Sequence, residues 1–263
     1  MIILLPPSET KRSGGDGSPL NLSGLRFPEL RSVREQTCAD VISLCSDPVA
    51  AIRALKLGPT QSDSIARNLS LHTSPTLPAL LRYTGVLYDA LDAESLSEDQ
   101  WSRASTMVVV QSALFGLISA TDRVPDYRLS HDSRLDPTLK RRWSTPGNAV
   151  LESLSELIID LRSESYAALS PLPIRSGAHY VRVVTADDNG RVRALNHFNK
   201  QAKGLFVRAL LNAERDFFSA QHLLEWALDQ RYHLTSMPDG TLSLRVPQVT
   251  GSPGKLRASL LSE

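Results

Sequence analysis

Residues 1–11 of the chain read MIILLPPSETK, and this stretch sets the framework of the fold. Five apolar residues ended by two prolines are typical of a short buried strand. Polar residues follow the prolines directly. Two further apolar runs, Met107–Gln111 and Leu157–Leu161, are also predicted to be buried strands.

Helical periodicity fills most of the sequence between and after these strands. It is densest from Phe27 to about Ala104, where Pro and Gly repeatedly interrupt it. Predicted helices cover Glu29–Leu44, Pro48–Leu55, Thr60–Leu69, Pro78–Leu81, Gly85–Leu91, Glu98–Ala104, Ser112–Ile118, Thr145–Ser155, Lys200–Ala213 and Ala220–Arg231.

Two hairpins are predicted in the last third of the chain. The first pairs His179–Thr185 with Arg191–His197 around residues 187–190, which read DDNG. The second pairs Tyr232–Ser236 with Thr241–Val246. The segment Tyr127–Leu129 is also strand-like.

Buried strands mixed with helices and hairpins indicate an α/β fold, with α+β as the alternative. We expect a single compact domain over residues 1–249, with a mixed sheet and surrounding helices. Residues 27–104 would form a helical subdomain or insertion within it, and residues 250–263 a flexible tail.

Charge and composition exclude several classes of protein. The 263 residues include 29 Lys and Arg against 28 Asp and Glu, a net charge of +1. This balance excludes a broadly basic nucleic-acid coat protein but leaves room for a local basic cleft. Only six of the cations are Lys, so each Lys merits attention.

The location and the cysteines lead to further expectations. No apolar run approaches the length of a membrane span, and the N-terminal run is too short for a signal peptide, so we expect a cytoplasmic protein without membrane contact. Cys38 and Cys45 stand seven apart in a predicted helix, too far to bridge within it, and are expected in the core. No Cys or His spacing indicates a metal site, and no cofactor is predicted.

Polar residues recur just past the predicted strand ends. In open sheets with parallel strands, the crevice beyond the carboxyl ends is the usual ligand site. If these ends lie side by side, one pocket holds a set of polar side chains that includes several cations. Its members are Ser8, Glu9, Lys11, Gln111, Ser112, Arg162, Ser163, Asn199, Lys200 and Lys203.

Such a pocket suits an anion, most simply a phosphate. Arg162 offers a bidentate fork, and Lys200 and Lys203 lie one turn apart near a helix start. Glu9 is a candidate general acid or base, and a lysine crowded by cations is a candidate nucleophile. The alternative is that these residues form solvated helix starts and ordinary salt bridges.

Three other features have both a functional and a plain reading. The Gly-rich residues 13–17 lack the order of a Walker loop and are read as a lid or turn. Residues 57–66 resemble a helix-hairpin-helix that touches DNA phosphate, or form a simple corner. Tyr83 and Tyr88 either stack on a base or pack in the core.

Six motifs occur in order along the chain: IILLPPSETK (2–11), YTGVLY (83–88), SALFG (112–116), YRL (127–129), DLRSESY (160–166) and HFNKQAKG (197–204). With these motifs the sequence closely resembles the peroxide-stress YaaA family, from Met1 to about Leu211 and more diffusely to Val246. The resemblance implies a compact α/β domain with a mixed sheet, a cleft and a helix-hairpin-helix-like element. It also implies a cytoplasmic protein that binds DNA and limits oxidative DNA damage.

Carried over by position, the family's recurrent polar residues fall on Ser8, Glu9, Lys11, Arg128, Arg162, Asn199, Lys200 and Lys203. The sequence departs from the family pattern at two places. Thr10 stands where Gly is expected, and residues 119–122, SATD, replace the usual Arg-Pro-x-Asp. The second change removes a cation from the presumed edge of the cleft.

Two functions therefore compete. One is a DNA-binding protein of the peroxide stress response. The other is an enzyme that acts on a nucleotide, nucleoside or other anionic small molecule, by glycosidic cleavage or a lyase step. A third reading is a partner-binding scaffold. In the enzyme, Glu9, Lys11 and Lys200 are the catalytic candidates, and the ligand-binding candidates are Ser8, Tyr83, Tyr88, Ser112, Arg128, Arg162, Ser163, Asn199 and Lys203.

Overall fold

The structure is a computed structural model that describes residues 1–186, 192–193 and 196–246. For residues 185–186, 192–193, 196–197 and 246 it describes the backbone alone. The predicted turn at residues 187–190 and the predicted tail at residues 250–263 lie outside the described residues.

Eleven strands occur in the described part of the chain. They are β1 (Ile2–Leu5), β2 (Gly17–Pro19), β3 (Pro75–Pro78), β4 (Val108–Ser112), β5 (Gly116–Ser119), β6 (Arg123–Val124), β7 (Ile158–Asp160), β8 (Ala178–Ala186), β9 (Val192–Arg193), β10 (His233–Ser236) and β11 (Leu242–Val246).

Ten α-helices occur in the described part of the chain. They are α1 (Arg31–Cys45), α2 (Pro48–Ala54), α3 (Asp63–Leu69), α4 (Ala79–Arg82), α5 (Val86–Leu91), α6 (Glu98–Met107), α7 (Leu139–Ser153), α8 (Glu164–Ala167), α9 (Asn196–Asn212) and α10 (Ala220–Asp229), with 3-10 turns at Leu22–Gly24, Pro28–Leu30 and Ala93–Ser95.

The main sheet has the strand order β10-β11-β8-β7-β1-β4-β5, and β9 pairs with β8. Pairing is parallel from β4 through β1, β7 and β8 to β11, and antiparallel at both ends. Strands β2, β3 and β6 form a separate three-stranded sheet. The prediction of an α/β domain with a mixed sheet is confirmed.

Strand β1 lies at the centre of the sheet. Its residues are all buried, as are those of β4 and β7, because helices and loops cover both faces there. The register places Ile3 beside Val108 of β4 and Ile159 of β7. The chain moves from β1 to β4 on one side and later to β7 on the other. Strand order therefore reverses at β1, which is the position where open sheets of this kind usually bind ligands.

Four predicted elements are wrong or misplaced. Residues 112–118 form no helix: β4 turns back into β5 at Gly116, whose φ of 66° favours glycine. Helix α7 begins at Leu139, six residues before the predicted start, because Thr138 caps it and Pro146 is accommodated inside it. Residues 127–129 lie in no strand. Helix α9 already begins at Asn196, where a strand was predicted.

Other predictions hold. The second hairpin is confirmed as β10 and β11, and the first survives as the β8–β9 pairing. Helices α2 and α3 meet through a turn at residues 55–62, which matches the expected helix-hairpin-helix-like corner. Cys38 and Cys45 are buried, unbridged core residues.

Helix α9 is held close to α5 by Gly204. A Cβ at this position would lie 2.1 Å from the carbonyl oxygen of Leu87 and 2.8 Å from Cβ of Ala90. A side chain here would push the two helices apart, so glycine sets their approach. The contact positions the first turns of α9 beside α5 and therefore next to Tyr88.

Candidate functional site

The loop after β1 is fastened to residues 82–84. Lys11 and Tyr83 form an antiparallel bridge, and the amide of Arg12 donates to the carbonyl of Arg82 over 2.8 Å. Side chains that face each other across such a bridge are close neighbours. The sequence separation of 72 residues hides this contact, and the tertiary fold places Tyr83 beside Lys11.

The Lys11 amine has an unusual environment. It donates to the carbonyl oxygens of Ser8 (3.1 Å) and Glu9 (3.4 Å) and lies 4.3 Å from the ring centre of Tyr127. None of the described carboxylates forms a salt bridge with it. Desolvation, helped by the positive charge of Arg128, lowers the pKa of Lys11 to about 7. Much of the amine is therefore unprotonated at neutral pH.

Three buried hydroxyl groups, those of Ser112, Tyr127 and Tyr83, form a hydrogen-bonded row beside this amine. The Tyr127 hydroxyl lies 2.8 Å from the Tyr83 hydroxyl and 2.7 Å from Ser112 Oγ. Burial raises the pKa of Tyr83 to about 12 and that of Tyr127 well above its ordinary value. Both tyrosines therefore stay protonated. Tyr83 and Ser112 were predicted from the sequence as ligand-binding candidates. Tyr127 was missed, although it directly precedes the candidate Arg128 in the motif YRL.

Glu9 and Arg128 form the polar side of the same site. Arg128 Nη1 donates to Glu9 Oε2 over 3.0 Å. The Glu9 carboxylate is exposed, whereas the Arg128 side chain is 12% exposed. Buried Nε of Arg128 has no acceptor among the described groups. We refer to Glu9, Lys11, Tyr83, Ser112, Tyr127 and Arg128 as the Lys11 centre.

A second polar group lies at the end of the neighbouring strand β7. Arg162 binds both carboxylate oxygens of Asp160, over 2.8 and 2.6 Å, and reaches Gln111 Oε1 over 3.0 Å. The side chains of Arg162 and Asp160 are fully buried. Arg162 supplies the bidentate fork that the sequence predicts, but to Asp160. The guanidinium is therefore committed inside the protein.

Lys203 supports the same strand end. Its amine donates to the carbonyl oxygens of Leu161 (2.7 Å) and Arg162 (3.4 Å). Desolvation lowers the pKa of Lys203 to about 8, against the raising effect of Asp160. The Tyr180 hydroxyl donates to the Arg162 carbonyl as well. We refer to Gln111, Asp160, Arg162, Tyr180 and Lys203 as the Arg162 centre.

The remaining predicted site residues lie around these two centres. Lys200 is exposed on the first turns of α9, and Asn199 has a buried Oδ1 that accepts no hydrogen bond from the described residues. Ser163 is the exposed residue preceding α8. Tyr88 is buried, and its hydroxyl donates to the Pro6 carbonyl over 2.8 Å.

The two departures from the family pattern lie near different ends of the strands. Thr10 Oγ1 lies 3.1 Å from Ser8 Oγ and donates to the Thr84 carbonyl, so it helps to fasten the loop that carries Lys11. Ser119 pairs with Val109 near the amino end of β4, whereas Lys11 follows the carboxyl end of β1. The expectation that residues 119–122 border the cleft is wrong, because β5 runs antiparallel to β4.

A small cavity of about 100 Å³ lies on the other side of Tyr83 and Tyr88. Its wall includes the carboxylate residues Asp89 and Glu94 together with Arg12, which pairs with Glu94. This balance of charge does not favour an anion.

None of the helices in the described residues is long and apolar enough to cross a membrane. Within the same residues, no group of three or more His, Cys, Asp or Glu side chains is placed to hold a metal ion.

Comparison with known proteins covers nearly the whole chain. The family described as "Peroxide stress protein YaaA" matches residues 1–236. A UPF0246 protein of Corynebacterium efficiens is 41% identical over 233 residues, which cover 86% of this chain and 91% of the relative. A UPF0246 protein of Streptomyces coelicolor is 38% identical over 218 residues, covering 80% and 83%. The chain therefore belongs to the peroxide stress protein YaaA family.

Proposed function

We propose that this family member is an enzyme that acts on a nucleotide-like, anionic substrate through the amine of Lys11. The observation that carries the proposal is the environment of that amine. It lies against an aromatic ring, its described hydrogen-bond partners are carbonyl oxygens, and its pKa is lowered to about 7. A desolvated lysine of this kind is a nucleophile at neutral pH.

The electrophile that suits this amine is an aldehyde carbon, such as that of an open-chain sugar phosphate. The nitrogen lone pair forms a C–N bond while the C=O π pair moves to oxygen. The nitrogen gives up one proton; the oxygen takes up that proton and a second one from solvent, and leaves as water. The product is a protonated imine, whose positive charge assists a subsequent lyase step.

Two neighbouring groups support this chemistry. Glu9 carries an exposed carboxylate two residues before Lys11, paired with Arg128, and is the candidate proton acceptor of the centre. Arg128 uses one donor on Glu9 and keeps buried Nε without a described acceptor, which suits a phosphate or another anionic oxygen. These roles define the substrate as a carbonyl compound with a nearby negative charge.

Borohydride trapping tests the proposal directly. The protein is incubated with 2-deoxyribose 5-phosphate, reduced with borohydride, and mapped by peptide mass spectrometry. We expect a stable adduct at Lys11 that Lys11→Ala abolishes. Lys56→Ala is the matched control, because Lys56 lies in a salt bridge with Asp132 away from the site. The proposal fails if folded protein forms no adduct, or forms it equally at other lysines.

DNA binding is the second candidate, and the exposed position of Lys200 on α9 supports it. The α2–α3 corner is a weaker contact, because the Gly58 amide already donates to the Gln61 side chain over 3.0 Å. We expect duplex DNA to be retarded in gels at low salt and released as salt rises. Lys200→Ala should weaken binding, while Lys140→Ala, on α7, should not. Absence of retardation at low salt would exclude this candidate.

A further inference from the structure

The three hydroxyl groups of the Lys11 centre carry one more O–H proton than the hydrogen bonds between them require. Ser112 Oγ accepts hydrogen bonds from the amides of Leu114 and Phe115, both over 3.0 Å. A hydroxyl oxygen has two lone pairs, so both are occupied. The Ser112 hydroxyl must therefore donate its own proton, and the partner within reach is Tyr127, at 2.7 Å.

The Tyr127 hydroxyl, which accepts from Ser112, can in turn donate its own proton to Tyr83. Two hydrogen bonds join three oxygen atoms, yet Ser112, Tyr127 and Tyr83 bring three O–H protons. When each hydroxyl donates to the next, each bond strengthens its neighbour, and the unused proton belongs to Tyr83. No described group accepts that proton, although the Tyr83 side chain is almost fully buried.

A buried donor without an acceptor is costly, so its position calls for a ligand. Tyr83 is the bridge partner of Lys11, and the Lys11 amine lies 5.6 Å from the Tyr83 ring centre. A carbonyl group attacked by that amine therefore has Tyr83 among its neighbours.

We infer that the Tyr83 hydroxyl donates a hydrogen bond to the substrate's carbonyl oxygen, with Tyr127 and Ser112 as the positioning residues behind it. This inference rests on the proposed function, since it assumes attack by Lys11. It assigns Tyr83 as a catalytic residue and specifies the substrate class further: the substrate presents a carbonyl oxygen, which becomes negatively charged when the C–N bond forms.

The arrangement suits that charge. The hydroxyls point in one direction before the reaction, so no reorganisation is needed when the oxyanion develops. At the far end of this row of hydroxyls, the amides of Leu114 and Phe115 donate to Ser112 and so polarise its O–H bond. Because Tyr83 and Tyr127 keep their protons at neutral pH, Tyr83 remains a donor throughout.

The rate of adduct formation with 2-deoxyribose 5-phosphate, measured with cyanoborohydride trapping, tests the inference. We expect Tyr83→Phe to slow the reaction at Lys11 about a hundredfold to a thousandfold, as for the loss of one oxyanion donor. Tyr127→Phe should slow it less, because Tyr83 keeps its donor but loses the hydroxyl that polarises it. Tyr232→Phe is the control, since it removes a partly buried hydroxyl that donates to the Leu205 carbonyl instead.

Arylation of Lys11 by trinitrobenzenesulfonate separates this effect from damage to the amine. The Lys11 amine displaces sulfite from this reagent, and no carbonyl oxygen becomes charged. The rate of arylation at Lys11 should therefore be the same in wild type and Tyr83→Phe. If wild type forms no aldehyde adduct at Lys11, the proposed function fails. If wild type forms it and Tyr83→Phe forms it as fast, only the present inference fails.

Discussion

The Lys11 centre and the Arg162 centre occupy adjacent strand ends and contain similar residues, yet they differ in their counter-charges. Arg162 is fully buried against the equally buried carboxylate of Asp160. Lys11 is partly exposed and rests on carbonyl oxygens and an aromatic ring. The first cation is neutralised and fixed. The second has no carboxylate partner among the described residues, and desolvation lowers the pKa of its amine.

The comparison teaches that a strand-end cation is not by itself an anion site. What decides its role is whether the fold supplies a buried acceptor for it. At β7 the acceptor comes from Asp160, two residues earlier in the same chain segment. At β1 the carboxylate two residues before Lys11, that of Glu9, pairs with Arg128 instead, so the described hydrogen bonds of Lys11 go to main-chain oxygens and its amine lies against a ring face.

The largest predicted effect is at the Arg162 centre. Asp160→Asn leaves a buried guanidinium without its charge partner, and the free energy of unfolding should fall by about 3–5 kcal/mol. Urea denaturation measures the loss. Glu35→Gln is the control, because the Arg31–Glu35 pair is exposed on α1 and should contribute about 0.5 kcal/mol or less. Equal losses in the two variants would show that Arg162 is not a structural cation.

A smaller effect is expected where α9, which carries Lys203, meets α5. Gly204→Ala places a methyl group against the Leu87 carbonyl, and this overpacking should cost about 1–3 kcal/mol. Gly58→Ala is the control, since its Cβ would meet nothing closer than 3.8 Å. Thermal unfolding compares the two. No difference between them would mean that α9 does not depend on this close approach.

The smallest predicted effect concerns the pH dependence of stability at the Lys11 centre. The unfolded chain keeps the Lys11 proton up to about pH 10.4, whereas the folded protein releases it near its pKa of about 7. Between these values the unfolded state binds more protons, so the contribution of Lys11 to stability rises with pH.

Denaturation of wild type and Lys11→Met at pH 7 and pH 9 measures this contribution. Wild type should gain about 1 kcal/mol relative to the variant over that interval, less than a full proton's worth because Lys11 is partly solvated. A difference that stays constant or falls would contradict the environment described for the amine.

Sequence reasoning found the framework of the fold because its signals are local. Runs such as 2–5 and 107–111 are apolar and short, so burial as strands was the expected outcome. It failed at residues 112–118, where SALFGLI fits a helix by composition but Gly116 allows a tight turn back into the sheet. There the pairing of Val110 with Ile118 overrode local preference.

The sequence also located most of the residues around the candidate site, but not their division of labour. It named Lys11, Arg162 and Lys203 together as one cationic set. Arg162 and Lys203 instead hold the chain after β7, through Asp160 and the main-chain oxygens of 161 and 162. Tyr127 was missed because nothing in its local sequence places its ring over a lysine 116 positions earlier.

What the sequence determined by itself is the class of fold, the family and the set of polar residues at the strand ends, because periodicity and motif order are properties of short segments. Only the tertiary structure decided which cation pairs with a carboxylate and which rests on main-chain oxygens and an aromatic ring. That outcome depends on burial and on distances between residues far apart in the chain, such as Lys11, Tyr83 and Tyr127, and local patterns carry no record of them.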